Sequence, residues 1–141
     1  MTEARTAVLE FIRDFCDWTA PLSDDADVFG TLGITGDDAS EFMEAFAAGF
    51  GVDATAFRWY FHYADEGWNF GALFYTPIYR RFGHIPITVA TLTEAVRTQR
   101  WPIIYPDHVL PGRRWDIVIN QIFAAAGVLR LVAGLWMTFA G

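Results

Sequence analysis

The fold is decided by residues 32–52, which have the sequence LGITGDDASEFMEAFAAGFGV. In the second half of this stretch the apolar residues recur at steps of three and four, the spacing of one buried face of an α-helix. Asp37, Asp38 and Glu41 crowd the first turn, where the helix dipole favours carboxylates. Gly51 suits the left-handed conformation that ends many helices. The stretch therefore predicts a turn that leads directly into an acidic, amphipathic helix.

The composition limits the class of protein. The chain has 141 residues, of which 53% are hydrophobic and 17% aromatic, which is enough for the core of one domain. The net charge of −7 argues against a nucleic-acid partner, because neutralising phosphates requires a basic face. All 10 basic residues are arginine, a bias typical of a GC-rich bacterial source. Without lysine, Schiff-base chemistry is excluded.

The first helix is predicted over residues 2–17, with Cys16 on its apolar stripe. Cys16 is the only cysteine, so no disulfide can form within the chain, and we expect a reducing, cytoplasmic location. Its place on the stripe favours a small core residue over a nucleophile. The charged first residues are not followed by an apolar segment, so no signal peptide is expected.

Residues 58–87 form an aromatic-rich insertion before the last bundle helix, which begins near Thr88. Glycine and proline interrupt this insertion, and no helical or strand period lasts, although residues 73–75 fit a short strand. Two interpretations stay open: the insertion presents aromatic side chains to a partner, or it folds back and seals the bundle. The candidate partner-binding residues are Asp37, Asp38, Glu41, Arg58, Trp59, Tyr63, Trp68, Phe74 and Tyr75.

The basic residues of the insertion suggest a second kind of contact. Arg58, Arg80 and Arg81 are candidates to pair with the carboxylates of the acidic helix or with a phosphate group.

The carboxyl-terminal part predicts a different kind of element. After a bundle at residues 1–98, a Pro-rich connector at 99–114 leads to an apolar helix at 115–141. This helix is long enough to span a membrane. Against a span, Arg130 at its centre would cost about 2.5–3.5 kcal/mol. The sequence leaves open membrane association, at the inner membrane, and self-association or docking through 115–141.

No catalytic or metal-binding pattern is evident in the sequence. His62, His84 and His108 are the only histidines, and none pairs with Cys, His or a carboxylate at the spacing of a metal site. His62 is predicted to be a hydrogen-bonded structural residue, the alternative being an acid–base pair with Asp65 or Glu66. We therefore expect a protein that is not an enzyme and that has no metal.

Residues 32–52 resemble the centre of acyl carrier proteins, where a Leu-Gly-x-Asp-Ser-Leu-Asp turn opens a helix that ends in Phe-Gly-Ile. Both ends of the stretch match without a gap, and Asp38 and Glu41 fall on the family's aspartate and glutamate. Residues 88–96 are similar to the last carrier helix. The resemblance covers residues 8–96, interrupted by the insertion, and implies a mainly α, acyl-carrier-like helical bundle.

The decisive position of this resemblance is Gly36. In carriers the matching serine is esterified by 4′-phosphopantetheine, and Gly36 has no hydroxyl, so this cofactor is not expected. Ser40 lies about one helical turn further on and is not expected to substitute. The resemblance implies a non-catalytic, carrier-like protein-interaction module, whose partner the sequence does not name. The alternatives are an atypical carrier or regulator in lipid or acyl metabolism, and a small protein anchored by its carboxyl-terminal helix.

A second resemblance is to the uncharacterised bacterial family called domain of unknown function 1493. It is carried by the glycine in place of the serine, by Arg58-Trp59-Tyr60-Phe61-His62 with Glu66-Gly67 following, and by Arg100-Trp101-Pro102. This resemblance implies no function.

Overall fold

The computed structural model describes residues 2–140, and in that range the chain is mainly helical and forms no β-strand. Two isolated bridges, between Asp27 and Thr88 and between Asp53 and Arg100, are the only sheet-like pairings there. The elements in chain order are α1 (Glu3–Cys16), α2 (Val28–Leu32), α3 (Gly36–Phe50), 3-10 turns at Trp59–Phe61 and Phe70–Leu73, α4 (Ile78–Arg81), α5 (Val89–Thr98) and α6 (Trp115–Ala140).

The ends of the bundle helices follow local sequence signals. The Thr2 hydroxyl accepts a hydrogen bond from the Arg5 amide at 3.3 Å and so caps α1. The Thr88 hydroxyl caps α5 in the same way, accepting from the Thr91 amide at 3.1 Å. Gly51 ends α3 with a φ of +68°, a conformation that glycine adopts without strain. These caps explain why the periodic segments begin and end where the sequence predicts.

The main core is formed where α1, α3 and α5 pack together. Phe42 of α3 lies at its centre and is completely buried. Its ring meets those of Phe11, Phe15 and Phe29 edge to face, with centroid distances of 5.1, 5.4 and 5.4 Å. Other buried members of this cluster include Val8, Ile12, Phe46, Val89, Leu92 and Ala95. The apolar stripes predicted for the three helices therefore form one core.

The aromatic segment 58–87 divides into two parts. Tyr60 and Phe61 are buried in a second cluster with Ile78 of α4. By contrast, Trp68 and Phe74 are 82% and 66% exposed. The first part is buried, as expected for an insertion that folds back on the bundle. The second part has exposed aromatic side chains, as expected for an insertion that presents them.

The short strand predicted for residues 73–75 is wrong. Phe70–Leu73 is instead a 3-10 turn, and the Asn69 side chain caps it by accepting a hydrogen bond from the Ala72 amide at 3.1 Å. The turn packs against α6, and the backbone of Gly71 approaches so closely that a Cβ there would lie 1.7 Å from the carbonyl oxygen of Asp116. The neighbour is thus a helix, which offers no edge for strand pairing.

Helix α6 follows residues 99–114, which contain no helix or strand. From residue 121 to 140 every side chain of α6 is exposed except at Gly134, which is half-buried. The helix is long and apolar enough to cross a membrane, by length and composition alone. The predicted ranges 1–98 and 115–141 include Met1 and Gly141, which lie outside the described residues.

Candidate functional site

The turn that opens α3 is closed by a distant loop. The Thr35 hydroxyl accepts a hydrogen bond from the Ala64 amide at 3.2 Å and donates one to the Ala64 carbonyl at 3.1 Å. The Gly36 amide donates to the same carbonyl at 3.0 Å. Thr35 therefore does not cap the helix with its side chain, as threonine often does, but joins the turn to residues 64–66.

Glycine is favoured at position 36 for two independent reasons. Its φ is +54°, in the left-handed region that other residues enter only with strain. A Cβ on Gly36 would also lie 2.0 Å from Cγ and 2.8 Å from Cβ of Glu66, so a larger residue would displace that side chain. The space that the side chain of a serine would need is thus occupied by Glu66.

A cavity of about 460 Å³ opens beside this closed turn. Carboxylates and aromatic rings line it together, with the backbone of Gly36 in its wall. The half-buried rings of Trp59, Tyr63 and Tyr79 form apolar surface, and Asp37 and Asp65 contribute exposed carboxylates. Such a lining suits a cationic or hydrogen-bond-donating group better than an acyl chain, because carboxylates and ring faces both attract positive charge.

The one arginine in the cavity wall, Arg114, is already paired. Its guanidinium forms ion pairs with Asp65 at 2.8 Å and with Asp116 at 2.6 Å. The hydrogen bond to Asp116, together with the contact to Asp65, raises the pKa of Arg114. Asp116 is completely buried and also accepts a hydrogen bond from Asn69 at 3.0 Å. Arg114 therefore links Asp65, in the cavity wall, to the start of α6.

The structure brings four of the predicted partner-binding residues together. Asp37, Trp59, Tyr63 and Trp68 line the same cavity as Gly36. The remaining five are Asp38, Glu41, Arg58, Phe74 and Tyr75, which lie elsewhere.

Two of these five residues, Asp38 and Glu41, line a separate depression with Phe15 and Cys16. Phe74 stacks on Phe123 of α6 at a centroid distance of 5.9 Å.

The arginines of the aromatic segment do not contact the acidic helix. Arg58 donates to the backbone carbonyls of Thr55 and Phe57, both at 3.0 Å. Arg81 donates to the Thr76 carbonyl at 2.8 Å, and its guanidinium lies 4.5 Å from the centroid of the Tyr75 ring. The ionic contacts at the site are instead made by Arg114, which was not predicted to lie there.

The contact between α6 and the loop at residues 68–70 has a signal in the sequence of α6. Asp116 and Asn120 are four positions apart, so they share one face of a helix whose other side chains are almost all apolar. Asn120 donates to the Trp68 carbonyl at 3.0 Å and accepts from the Phe70 amide at 3.1 Å. Polar residues at this spacing in an apolar helix indicate a docking face.

His62 is buried in a hydrogen-bonded network, as predicted. Its Nδ1 donates to the Ile85 carbonyl at 2.6 Å, and its Nε2 accepts from the Tyr105 hydroxyl at 2.7 Å. The Tyr105 oxygen in turn accepts from Trp101 Nε1 at 2.8 Å and from the Arg58 amide at 3.2 Å. Because this oxygen already accepts twice, a protonated His62 would find no acceptor there.

Burial of His62 lowers its pKa from 6.5 to about 4, against the smaller opposing effect of the bond to Ile85. The ring is thus neutral at physiological pH and serves packing. Within residues 2–140, no three His, Cys, Asp or Glu side chains come together in a geometry that could hold a metal ion.

Comparison with known proteins places the chain in a family. Residues 3–105 match the family model described as protein of unknown function (DUF1493), and the chain belongs to this family. No curated protein and no solved structure matches the chain. The matched residues include the closed turn and the His62 network, and they end before α6.

Proposed function

We propose that this member of the DUF1493 family is a non-catalytic protein-interaction module that α6 holds on a membrane. The observation that carries the proposal is the exposure of α6 over residues 121–140 on every side. A helix that packs on one partner in water buries a stripe and keeps a polar face. Helix α6 has no polar face beyond Gln121, and a helix with an apolar surface on all sides fits a lipid environment.

The length of the apolar part also fits a bilayer. The polar residues Asp116, Asn120 and Gln121 all precede Ile122. From Ile122 to Ala140 the helix would extend over roughly 28 Å at about 1.5 Å per residue, close to the ~30 Å of a hydrocarbon core.

Arg130 is the one charged residue in this apolar part. Its long side chain can reach toward the headgroups, which reduces the cost of insertion. Arg113 and Arg114 precede the helix and favour an amino-terminal side that faces the cytoplasm.

The absence of a prosthetic group is the second part of the proposal. The order of α1, α3 and α5 supports an acyl-carrier-like bundle, and the Thr35–Ala64 contacts support a turn that has become a structural joint. Glu66 occupies the space that a carrier would need for its serine. The exposed carboxylates Asp37, Asp38 and Glu41 remain available to a protein partner.

A second candidate function is an atypical carrier that is loaded at Ser40. The observation in its favour is that Ser40 is half-buried and lines the cavity beside Gly36. Incubation with a phosphopantetheinyl transferase and coenzyme A, followed by intact mass measurement, separates the two. An unchanged mass is expected, and a gain of one phosphopantetheine that Ser40→Ala abolishes would replace the interaction module by the carrier.

Membrane attachment is tested by fractionation of cells that express the full chain. We expect the protein in the membrane pellet, resistant to extraction with alkaline carbonate. The Val128→Asp/Leu131→Asp variant should move to the soluble fraction, because two charges in the apolar part oppose insertion. The Ala20→Asp/Ala48→Asp variant adds the same charge at exposed bundle positions and should stay in the pellet. A wild-type protein found soluble, as a monomer or as a dimer, would refute attachment.

A further inference from the structure

We propose that the loop Trp68–Phe74 is a membrane-interface collar, which enters the boundary between headgroups and acyl chains beside α6. The inference rests on the proposed membrane attachment and goes beyond it by assigning lipid contact to a second, separate part of the chain. The occupant of this surface is a bilayer, and a protein partner is an outcome of the test.

The side chains of the collar are apolar and open to the surroundings. Trp68 is 82% exposed, Leu73 79% and Phe74 66%, although each would be stabilised by burial. Phe70 adds a further ring that is 47% exposed and lies 5.2 Å from that of Trp68. Four large apolar side chains within seven residues make a patch of the kind that marks an interaction surface.

The collar is held on α6 by hydrogen bonds and by a close backbone contact. Asn120 bonds the backbone on both sides, as donor to Trp68 and as acceptor from Phe70. Asn69 donates to the buried carboxylate of Asp116, and Gly71 lies against the Asp116 backbone. Every polar contact of the loop with α6 thus uses the first two turns of the helix, and the apolar side chains point away from these contacts toward the surroundings.

The position of the collar along α6 coincides with the start of the apolar part. Phe74 stacks on Phe123, which is the second residue of the stretch 122–140. A bilayer that accommodates this stretch therefore has its surface at the level of the collar. At this depth aromatic side chains are favoured, because their rings tolerate both water and lipid.

Two guanidinium groups border the same region. Arg81 lies over the Tyr75 ring, and Arg113 lies 5.3 Å from the centroid of the Trp115 ring. Arginine and aromatic residues together suit the headgroup layer, where the cations meet lipid phosphates and the rings meet acyl chains. Arg81, over the residue that follows the collar, and Arg113, two positions before α6, therefore add side chains that suit the headgroup layer.

The test measures the depth of single positions in the full chain. In a Cys16→Ser background, one cysteine is placed by Leu73→Cys, Leu131→Cys or Ala48→Cys and labelled with a polarity-sensitive fluorophore. Each protein is reconstituted in vesicles of phosphatidylcholine and phosphatidylglycerol that carry a spin label either near the headgroups or at the bilayer centre.

We expect quenching at position 73 to be stronger with the shallow spin label, and at position 131 with the deep one. The label at position 48, on the exposed side of α3, should be quenched by neither. If position 131 is quenched while position 73 behaves like 48, the collar is refuted as a lipid contact, its apolar surface is left to a protein partner, and membrane attachment stands. If position 131 is not quenched, membrane attachment fails and the collar fails with it.

A matched pair of variants tests whether α6 sets the depth of the collar. Gly71→Ala places a Cβ against the α6 backbone, whereas Gly83→Ala meets nothing within 4 Å. With Gly71→Ala we expect quenching at position 73 to fall and quenching at 131 to persist, and with Gly83→Ala both should persist. Unchanged quenching at 73 in Gly71→Ala would refute the role of α6 in holding the collar, and quenching lost in both variants would do the same.

Discussion

Helices α3 and α6 use apolar residues in opposite ways. In α3, Ala39, Phe42 and Phe46 have no exposed surface, and the charged residues lie on the other side. In α6, Trp136 is 72% exposed and Phe139 85%. The only buried side chain of α6 is a carboxylate, that of Asp116.

The difference shows that apolar composition alone does not determine burial. Helix α3 carries carboxylates on one face, so that face contacts water and the opposite, apolar face packs into the core. Helix α6 lacks such a face after Gln121 and offers no side that water favours. Its one polar face, Asp116 and Asn120, is instead used to dock the collar.

The largest effect on stability is expected when phenylalanine is replaced by alanine in α3, and the same replacement in α6 is the comparison. Phe42→Ala removes a completely buried ring and should lower the free energy of unfolding of the bundle by about 3–5 kcal/mol. Phe139→Ala removes an exposed ring and should leave the free energy of unfolding unchanged. Denaturant unfolding in detergent, followed by near-ultraviolet circular dichroism, checks both. A comparable loss in both variants would show that α6 packs into the bundle, as α3 does.

A smaller effect is expected from acid, and it should act on the bundle alone. The pKa of His62 is lower in the folded protein than in the unfolded chain. Below about pH 6.5 the unfolded chain therefore binds a proton at His62 that the folded protein does not bind. Stability is therefore complete above that pH and falls as the pH drops toward about 4, by up to about 3 kcal/mol. Helix α6 has no histidine, so the protein should stay in the membrane fraction.

Urea unfolding at several pH values checks this prediction. In His62→Gln the decline between pH 6.5 and 4 should be smaller than in the wild type, whatever the cost of the substitution at neutral pH. His84→Gln, which changes a more exposed ring, is the matched control and should keep most of the decline, because burial lowers the pKa of His62 more than His84 does. Equal slopes in all three proteins would show that His62 does not couple stability to pH.

The smallest effect is expected from placing a serine in the closed turn. Gly36→Ser combines a positive φ with the contact to Glu66 and should destabilise the bundle by about 1–3 kcal/mol. Gly33→Ser has a similar φ, +68°, with nothing within 4 Å, and so measures the φ contribution alone. Gly127→Ser, on exposed α6, should cost nothing.

Thermal unfolding of the three glycine variants gives the order of their effects. Adding Glu66→Ala to Gly36→Ser should recover part of the loss, because it removes the side-chain atoms beyond Cβ. If Gly36→Ser costs no more than Gly33→Ser, Glu66 does not close the turn.

Much of the helical framework could be predicted from the sequence, because the signals are local. Periodic apolar residues and the cap at Thr88 lie within a few positions of the helices they specify. The candidate site was predicted in part: Asp37, Trp59, Tyr63 and Trp68 line one cavity, whereas Arg114 was missed. Asp116, one partner of Arg114, is two positions away, but the partner in the cavity wall, Asp65, is 49 positions away and no local pattern indicates it.

By itself the sequence determined the acidic helix α3, the apolar helix α6 and a turn that contains glycine at position 36. Each is a property of a short stretch read at the helical period. Only the tertiary structure decided that Glu66 fills the space beside Gly36, that the aromatic segment is half buried and half exposed, and that Asp116 docks the collar on α6. These features join residues about 30 to 50 positions apart, and packing, not periodicity, selects such pairs.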